Sequence, residues 1–170
     1  MNGLYFRAAV GAIIVNNKGQ VLLLERSDFP GTWQFVQGGI DFGERPSEAI
    51  LREIKEETSI NSDKLKFVAS HPTWLSYSFT RGKPSLFREE NCRVPIIGQT
   101  QKWFIYALLD ENAIDLDKAQ DKEFKSYKWA DFEDAVKYVS GFKKELYINL
   151  FAWANRIIRA HLYRQNKVDD

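Results

Sequence analysis

Three glutamates, Glu53, Glu56 and Glu57, stand at positions i, i+3 and i+4 of the segment 38–60. On an α-helix of about 3.6 residues per turn, these positions share one face. Carboxylates this close repel one another unless a cation lies between them. Oxygen donors without histidine or cysteine suit a hard divalent ion such as Mg²⁺ or Mn²⁺. The spacing therefore predicts a metal-binding face, with a solvated acidic surface as the simpler alternative.

A helix that begins at Pro46 would have to position these glutamates. Proline suits a first helical turn because its missing N–H is not needed there, and Glu48 lies near the positive end of the helix dipole. A projection at about 100° per residue places Ile50, Leu51 and Ile54 on an apolar flank that adjoins the acidic face. The helix is therefore predicted to be three-sided, with the remaining side in solvent.

The chain around this helix alternates strand-like and helix-like patterns. Strands are predicted at 7–15, 21–25, 33–36, 65–78 (one long or broken strand), 102–109 and 127–130, and further helices at 131–139 and 143–164. Glycines and prolines predict an irregular region over 80–98. Mixed strands with helices on both faces predict an α/β fold, an α/β/α sandwich with a mixed sheet. Residues 1–165 are expected to form a single domain, and 166–170 a frayed tail.

The composition excludes several classes of protein. The 170 residues are 44% hydrophobic and 28% charged with a net charge of +1, so no global charge favours duplex DNA or a membrane surface. A single cysteine, Cys92, can form neither an internal disulfide nor a thiolate zinc site. The N-terminus lacks a signal-peptide pattern, and the longest apolar run, 8–15, is too short to span a bilayer. A cytoplasmic protein is expected.

The frame in which the glutamates stand resembles the Nudix box of hydrolases that act on nucleoside-diphosphate-linked substrates. The matching positions are Gly38, Glu44, Arg52, Glu53, Ile54, Glu56, Glu57 and Ile60. One position departs, because Ser59 stands where the family has glycine. The helix leaves there through a left-handed residue, a conformation that serine adopts at some cost. The resemblance implies a Nudix fold and a metal-dependent pyrophosphohydrolase.

The resemblance also implies roles for these residues. Glu53, Glu56 and Glu57 would hold Mg²⁺, or Mn²⁺ in its place, with help from the Gly38 carbonyl. Glu53 would polarise the attacking water, and Glu57 is the second candidate catalytic residue. Arg52 would bridge to Glu56 and aim the carboxylates, and Glu44 would support the site from behind. A pyrophosphate bridge is polyanionic, so cations must neutralise its oxygens before hydroxide can attack.

Segments beyond the box are similar to the bacterial RNA pyrophosphohydrolases and their relatives that cleave dinucleoside polyphosphates. These segments are 33–34, 37–40, 98–104, 123–124, 127–129 and 142–147. The similarity implies that Glu123 is a fourth metal-binding carboxylate and that Gln37 and Gly39 contact the substrate. It also implies that Phe142 stacks on the first nucleotide and Lys143 clasps it, although Phe142 could equally pack the start of the last helix.

Alternatives remain open for the substrate. Basic residues cluster at 81–102 and 122–144 and could carry an RNA strand away from the site, or they could be ordinary solvated surface. The stretch 80–93 and Gly141 look like additions to the pattern of the RNA pyrophosphohydrolases. The partner is expected to be a nucleotide or an RNA 5′ end. A hydrolase of free nucleotides or diadenosine polyphosphates, and a non-catalytic nucleotide-binding module, are the other possibilities.

Overall fold

A nine-stranded mixed sheet forms the centre of the computed structural model, which describes residues 4–79, 85–89, 92–138 and 144–167. The strands in these residues are β1 (Tyr5–Val15), β2 (Val21–Arg26), β3 (Trp33–Gln34), β4 (Val36–Gly39), β5 (Leu65–Ser70), β6 (Leu75–Ser78), β7 (Ser85–Glu89), β8 (Cys92–Leu108) and β9 (Phe124–Ala130). The α-helices are α1 (Pro46–Thr58), α2 (Phe132–Tyr138) and α3 (Lys144–Asn166).

The centre of the sheet is a parallel pair, β1 and β8, in which Val10 lies opposite Lys102. The main order is β3-β2-β1-β8-β5, and β6 and β7 continue along the same edge of β8 as β5. On its other edge, β1 pairs antiparallel with β4 over its middle, residues 9–12, and pairs with β2 at Val15, opposite Val21. Beyond Val21, β2 diverges from β1 and pairs on that side with β3, while β9 runs along its other edge. The divergence lets β4 lie beside β1.

Helices cover both faces of the sheet. Alternate residues of β1 point to opposite sides, so Val10 and Ile14 pack against Ile54 of α1, while Ile13 packs with Leu150 of α3. Of the three α1 residues predicted to form the apolar flank, Ile50 and Ile54 are inaccessible to solvent, and Leu51 is partly buried against the same core. The α/β/α sandwich with a mixed sheet is therefore confirmed.

Helix α1 has the ends that its sequence predicts. Pro46 is its first residue, and the carboxylate of Glu48 accepts a hydrogen bond of 3.0 Å from the backbone N–H of Arg45. The helix ends through Ser59, whose φ of 64° is left-handed and whose N–H donates to the carbonyl of Lys55 at 2.9 Å. The expected left-handed exit without glycine is confirmed.

The prediction of an irregular region over 80–98 is wrong where the structure describes it. Strand β7 pairs antiparallel with the first part of β8, so that Leu86 lies opposite Pro95. Proline is tolerated there because β1 reaches β8 only at Ile96, which leaves that edge of β8 unpaired at Pro95 among the described residues. The predicted strand at 65–78 is broken into β5 and β6, and the predicted strand at 102–109 is the second half of β8.

Helix α3 extends to Asn166, and residues 168–170 of the expected frayed tail lie outside the described residues. Within the part of the chain that the structure describes, no helix combines the length and the apolar character needed to cross a membrane.

Candidate active site

Two consecutive glycines at the end of β4 make room for charged groups. Gly38 lies opposite Val10 of β1, and a methyl group added at Gly38 would collide with the carboxylate of Glu53. A methyl group added at Gly39 would collide with the guanidinium of Arg7. The absence of side chains therefore lets a carboxylate and a guanidinium lie directly against the backbone of this strand.

A polar cleft of about 320 Å³ opens at this point. Its lining residues come from β1, β2, β3, β4, α1, β8 and the loop before β9: Arg7, Arg26, Gln34, Gln37, Gly38, Gly39, Glu53, Glu57, Gln99 and Glu123. Five of the residues that the sequence assigned to metal or substrate are thus brought together with Glu123, which lies far from them in sequence. The cleft combines carboxylates with two arginines.

Glu57 is the most deeply buried acid of the cleft. Its side chain is 2% exposed, and its Oε2 has no hydrogen-bond partner among the described residues. Burial raises the pKa of Glu57 well above its ordinary value, and the negative charges of Glu123 and Glu53 raise it further. A hydrogen bond from the backbone of Gln37 opposes this only in part. A cation bound in the cleft would therefore stabilise the ionised form of Glu57.

Arg52 organises the acidic face of α1. Its guanidinium donates twice to Glu44, at 2.9 Å each, and also to Glu53 at 2.8 Å and Glu56 at 3.0 Å. A further hydrogen bond of 2.9 Å joins its Nη2 to the carbonyl of Gly39. The structure thus contains the predicted bridge from Arg52 to Glu56. Burial still raises the pKa of Glu53 above its ordinary value, although Arg52 opposes the shift.

Glu123 approaches from the opposite side of the cleft. Its Oε1 accepts a hydrogen bond of 2.5 Å from Nη1 of Arg26, and its carbonyl accepts one of 2.7 Å from the N–H of Ser27. Arg26 is itself held by Asp28 at 2.7 Å. The last residue of β2 therefore ties the loop carrying Glu123 to the cleft.

Glu56 is not among the residues that line the cleft. In the described ranges, no three side chains of histidine, cysteine, aspartate or glutamate converge to form a metal-binding group. The carboxylates are instead paired with arginines, Glu53 and Glu56 with Arg52 and Glu123 with Arg26. Asp121, which the sequence analysis did not single out, adds a further negative charge that acts on both Glu53 and Glu57.

The donor set nevertheless fits a hard divalent cation. The groups of the cleft that can ligate a metal are oxygens of carboxylates, amides and backbone carbonyls, without histidine or cysteine. The partnerless Oε2 of Glu57 lies among them, and Gly38 leaves room for the carboxylate of Glu53. Such donors are those that Mg²⁺ and Mn²⁺ prefer.

Four cleft residues were given no role from the sequence, Arg7, Arg26, Gln34 and Gln99. The available indication for the two arginines was their position, because Arg7 lies near the start of β1 and Arg26 ends β2 beside Glu25. Of the predicted substrate residues, Gln37 and Gly39 line the cleft. Phe142 and Lys143 lie outside the described residues, as do Gly141 and residues 80–84 and 90–91.

Fold and cleft together define an α/β/α protein whose acidic, arginine-containing cleft suits a divalent cation and phosphate oxygens. The NUDIX domain profile matches residues 5–150, and the chain belongs to this family. It is 41% identical over 146 residues to an RNA pyrophosphohydrolase of a Nitratiruptor species, covering 84% of this chain and 88% of the relative. It is 36% identical over 155 residues to an RNA pyrophosphohydrolase of Helicobacter pylori, covering 89% and 94%.

Among solved structures, the fold is similar to that of the E. coli dihydroneopterin triphosphate pyrophosphohydrolase. The TM-score is 0.66 at 26% identity, and the match covers 88% of this chain and 97% of the other. The Nudix fold expected from the box is thereby confirmed.

Proposed function

We propose that this chain is a metal-dependent hydrolase that cleaves a phosphoric anhydride bond at the 5′-triphosphate end of RNA. The observation that carries the proposal is the presence of Glu53, Glu57, Arg7 and Arg26 in one cleft. Carboxylates serve metal binding and water activation, and arginine forks suit phosphate oxygens. The names of relatives that share more than a third of their residues over most of the chain support RNA as the substrate.

The metal proposed for the site is Mg²⁺, with Mn²⁺ as a substitute. It would be held by Glu53, Glu56, Glu57, Glu123 and the carbonyl of Gly38. When bound, such a cation neutralises phosphate oxygens and lowers the pKa of a water molecule.

The residues of the chain itself divide the remaining work. Glu53 receives the proton of the attacking water, and its raised pKa makes it a stronger base than a solvated glutamate. Arg7 and Arg26 bind phosphate oxygens from the sides of β1 and β2. Arg52, tied to Glu44 and Gly39, keeps the α1 carboxylates oriented.

The nucleoside is proposed to lie outside the cleft, because no aromatic side chain is among the cleft residues described. Stacking by Phe142 and a contact from Lys143 remain predictions from the sequence. These residues immediately precede α3. Base stacking on an aromatic ring contributes about 1–3 kcal/mol per base.

The substrate is tested by measuring kcat/KM for a triphosphorylated RNA oligonucleotide and for ATP over a range of salt concentrations with Mg²⁺. We expect RNA to be preferred and its advantage to shrink as salt rises, because phosphate contacts release counterions. Equal salt slopes, or a preference for ATP, would replace RNA by free nucleotides as the substrate class. Absence of turnover on RNA, ATP and diadenosine polyphosphates alike would leave the non-catalytic module as the correct alternative.

Phe142→Ala provides the matching variant for the nucleoside contact. It should raise KM for both RNA and ATP by about fivefold or more, since stacking is lost for either base. Phe42→Ala is the control, because Phe42 is fully exposed and does not line the cleft. Equal kinetics in the two variants would mean that Phe142 only packs the start of α3.

A further inference from the structure

A row of polar side chains lies beside the cleft on the α3 face of the sheet. Gln99, Gln101 and Trp103 are every second residue of β8 and therefore share that face. Gln99 lines the cleft, whereas Gln101 and Trp103 are inaccessible to solvent. A buried polar side chain needs hydrogen-bond partners. Together with Gln37 of β4 and Tyr77 of β6, these three residues form what we call the glutamine network.

The network crosses β1 because that strand carries only small residues at this point. Ala9 lies opposite Gln101 and Gly11 lies opposite Trp103, while Gln37 lies opposite Gly11 from the other side. Neighbouring strands are about 4.8 Å apart, so Gln101 on β8 and Gln37 on β4 are separated by about 10 Å of sheet. Because no long side chain of β1 stands between them, the two amides meet, and Nε2 of Gln101 donates to Oε1 of Gln37 at 3.0 Å.

The indole of Trp103 sets the direction of the hydrogen bonds in the network. Its Nε1–H can only donate, and it donates to Oε1 of Gln101 at 3.2 Å. The Nε2 of Gln101 therefore faces the other two amides, and it donates to Oε1 of Gln37 and, at 3.1 Å, to Oε1 of Gln99. The hydroxyl of Tyr77 donates to the same oxygen of Gln99 at 2.7 Å. The orientation of all three amides is thus fixed by a group that has no acceptor.

The two amides that line the cleft consequently have N–H groups to offer it. Nε2 of Gln99 has no hydrogen-bond partner among the described residues, and neither this atom nor Nε2 of Gln37 is among the buried atoms that lack one. Burial raises the pKa of Tyr147, and the amide of Gln37 opposes this shift, which occupies at most one of its two N–H groups. Arg7, opposite Gln99 on β1, lines the same cleft and carries only donors. This wall of the cleft therefore suits phosphate oxygens.

We propose that Gln101 is a positioning residue for substrate binding, which holds Gln37 and Gln99 with their oxygens inward and their NH2 groups toward the phosphates. Gln101 itself does not touch the substrate. An amide without this partner is free to turn over and present its oxygen, which phosphate oxygens repel. Fixing the donors in advance removes that cost from binding. The proposal rests on the proposed hydrolase function and adds to it a residue that the cleft does not contain.

Gln101→Met tests the network, because methionine has a similar shape and no amide. Inorganic phosphate is titrated with Mg²⁺ into the full-length wild type and the variant, and the side-chain NH2 signals of Gln37 and Gln99 are followed by NMR. Phosphate has no anhydride bond, so it is not turned over. We expect saturable shifts of both amides in the wild type and an affinity for phosphate at least about fivefold weaker in Gln101→Met. Thr100→Val is the matched control, because it removes the 3.0 Å hydrogen bond from Ser76 on the opposite face of the same two strands, and it should bind like the wild type.

Tyr77→Phe separates the two branches of the network. It removes the hydroxyl that donates to Gln99 and keeps the buried ring. The phosphate response of Gln99 should weaken, while that of Gln37 should stay at the wild-type value. A general loss of packing would affect both amides alike and would count against the proposal. Because only a hydroxyl is removed, this variant tests the network even where Gln101→Met does not fold.

Kinetics on triphosphorylated RNA with Mg²⁺ extend the test to the proposed reaction. Gln101→Met should raise KM by about fivefold or more and change kcat by less than about twofold, because α1 and its carboxylates lie on the opposite face of the sheet. Thr100→Val should match the wild type in both constants. A lower kcat with unchanged KM in Gln101→Met would mean that Gln101 only stabilises the fold, and it would overturn the proposal.

Failure of the proposed reaction and failure of the positioning role give different results. No turnover of RNA by the wild type, combined with a phosphate response that depends on Gln101, would reject the hydrolase function and support the positioning role. Turnover of RNA, combined with amide signals that ignore phosphate or respond equally in the wild type and Gln101→Met, would support the hydrolase function and reject the positioning role.

Discussion

At the scale of single residues, the cleft depends on groups whose surroundings oppose their charge. Glu57 is buried beside Glu53 and Glu123, and its Oε2 has no partner among the described residues. A charged carboxylate in such a place destabilises the folded state unless a cation compensates it. The feature that makes burial of Glu57 destabilising is also the reason we propose this residue as a metal ligand.

Glu57→Gln tests whether the buried carboxylate both destabilises the metal-free fold and is needed for turnover. The amide keeps the shape of the side chain but binds a hard cation poorly, so turnover with Mg²⁺ should fall by about two orders of magnitude or more. The metal-free variant should melt no lower than the wild type at about pH 7.5, because a neutral amide is easier to bury. Activity assays and thermal unfolding in EDTA measure the two effects.

Mg²⁺ should raise the melting temperature of the wild type and not that of Glu57→Gln, because binding to the folded state alone stabilises it. Glu133→Gln, an exposed glutamate of α2, is the control and should resemble the wild type in all three measurements. Retention of a tenth or more of the wild-type rate in Glu57→Gln would show that Glu57 is not required.

At the residue scale, the sequence indicated relative positions where spacing along one helix was sufficient. Glu53, Glu57 and Arg52 could be placed relative to one another because the period of a helix relates them. Arg7 and Arg26 could not be placed in this way, because their positions at the cleft depend on how β1, β2 and β4 are arranged in the sheet. The bridge from Arg52 to Glu56 was predicted, but the ion pair of Arg26 with Glu123 could not be, since it joins residues far apart in sequence.

At the scale of elements, α1 carries a small strain at its exit. Ser59 adopts a left-handed conformation that favours glycine, and its Oγ is buried without a hydrogen-bond partner among the described residues. The helix nevertheless ends there, because the N–H of Ser59 satisfies the carbonyl of Lys55.

Ser59→Gly should stabilise the protein by about 1 kcal/mol, since it removes both the conformational strain and the partnerless hydroxyl. Denaturant unfolding would measure the change, and kcat should stay at the wild-type value. Ser62→Gly is the control, because Ser62 has a negative φ and the same change there should destabilise. A loss of stability in Ser59→Gly would mean that Ser59 makes a favourable contact.

The strands show where local patterns stop being informative. Helix α1 carries its own start and stop residues, whereas β7 and the first part of β8 acquire their structure from each other. Pro95 and Gly98 predict a break, yet pairing of Leu86 with Pro95 and of Tyr77 with Gln99 keeps β8 extended across both. A strand stabilised by its neighbours is not visible in a short window of sequence.

At the scale of the whole molecule, packing at the centre of the sheet depends on Gly11 and Trp103. These residues lie opposite each other in the β1–β8 pair, and the indole of Trp103 covers the backbone of Gly11. Trp103 is inaccessible to solvent. Its ring makes edge contacts with Phe35 and Tyr147, with ring centroids 6.1 Å apart in each pair. The indole of Trp103 can therefore occupy the centre of the core on the α3 side only because Gly11 has no side chain.

Gly11→Ala should lower the free energy of unfolding by about 1–3 kcal/mol, because the added methyl group overlaps the indole in a close-packed core. Combining it with Trp103→Phe should give a loss smaller than the sum of the two single losses, since the smaller ring makes room. Urea unfolding of the four proteins forms the cycle. Strict additivity would show that the indole does not limit position 11.

The layers of the molecule were predictable from sequence, but the order of strands was not. Amphipathic periods indicate which faces of α1 and α3 are buried, and a sandwich follows. The parallel contact of β1 with β8 joins segments separated by more than half of the chain, and no local pattern encodes such a pair.

The β1–β8 pair also determines when the chain can fold during its synthesis. During synthesis β1 emerges first, and its apolar residues 8–15 have no long partner until β8 has left the ribosome. Its hairpin neighbour β2 offers a single pairing at Val21, and β4 covers only four residues. Closing a loop of this length before any compensating contact forms makes folding slow. A nascent chain interrupted before Leu108 therefore exposes its most apolar strand, and such fragments should depend on chaperones to stay out of aggregates.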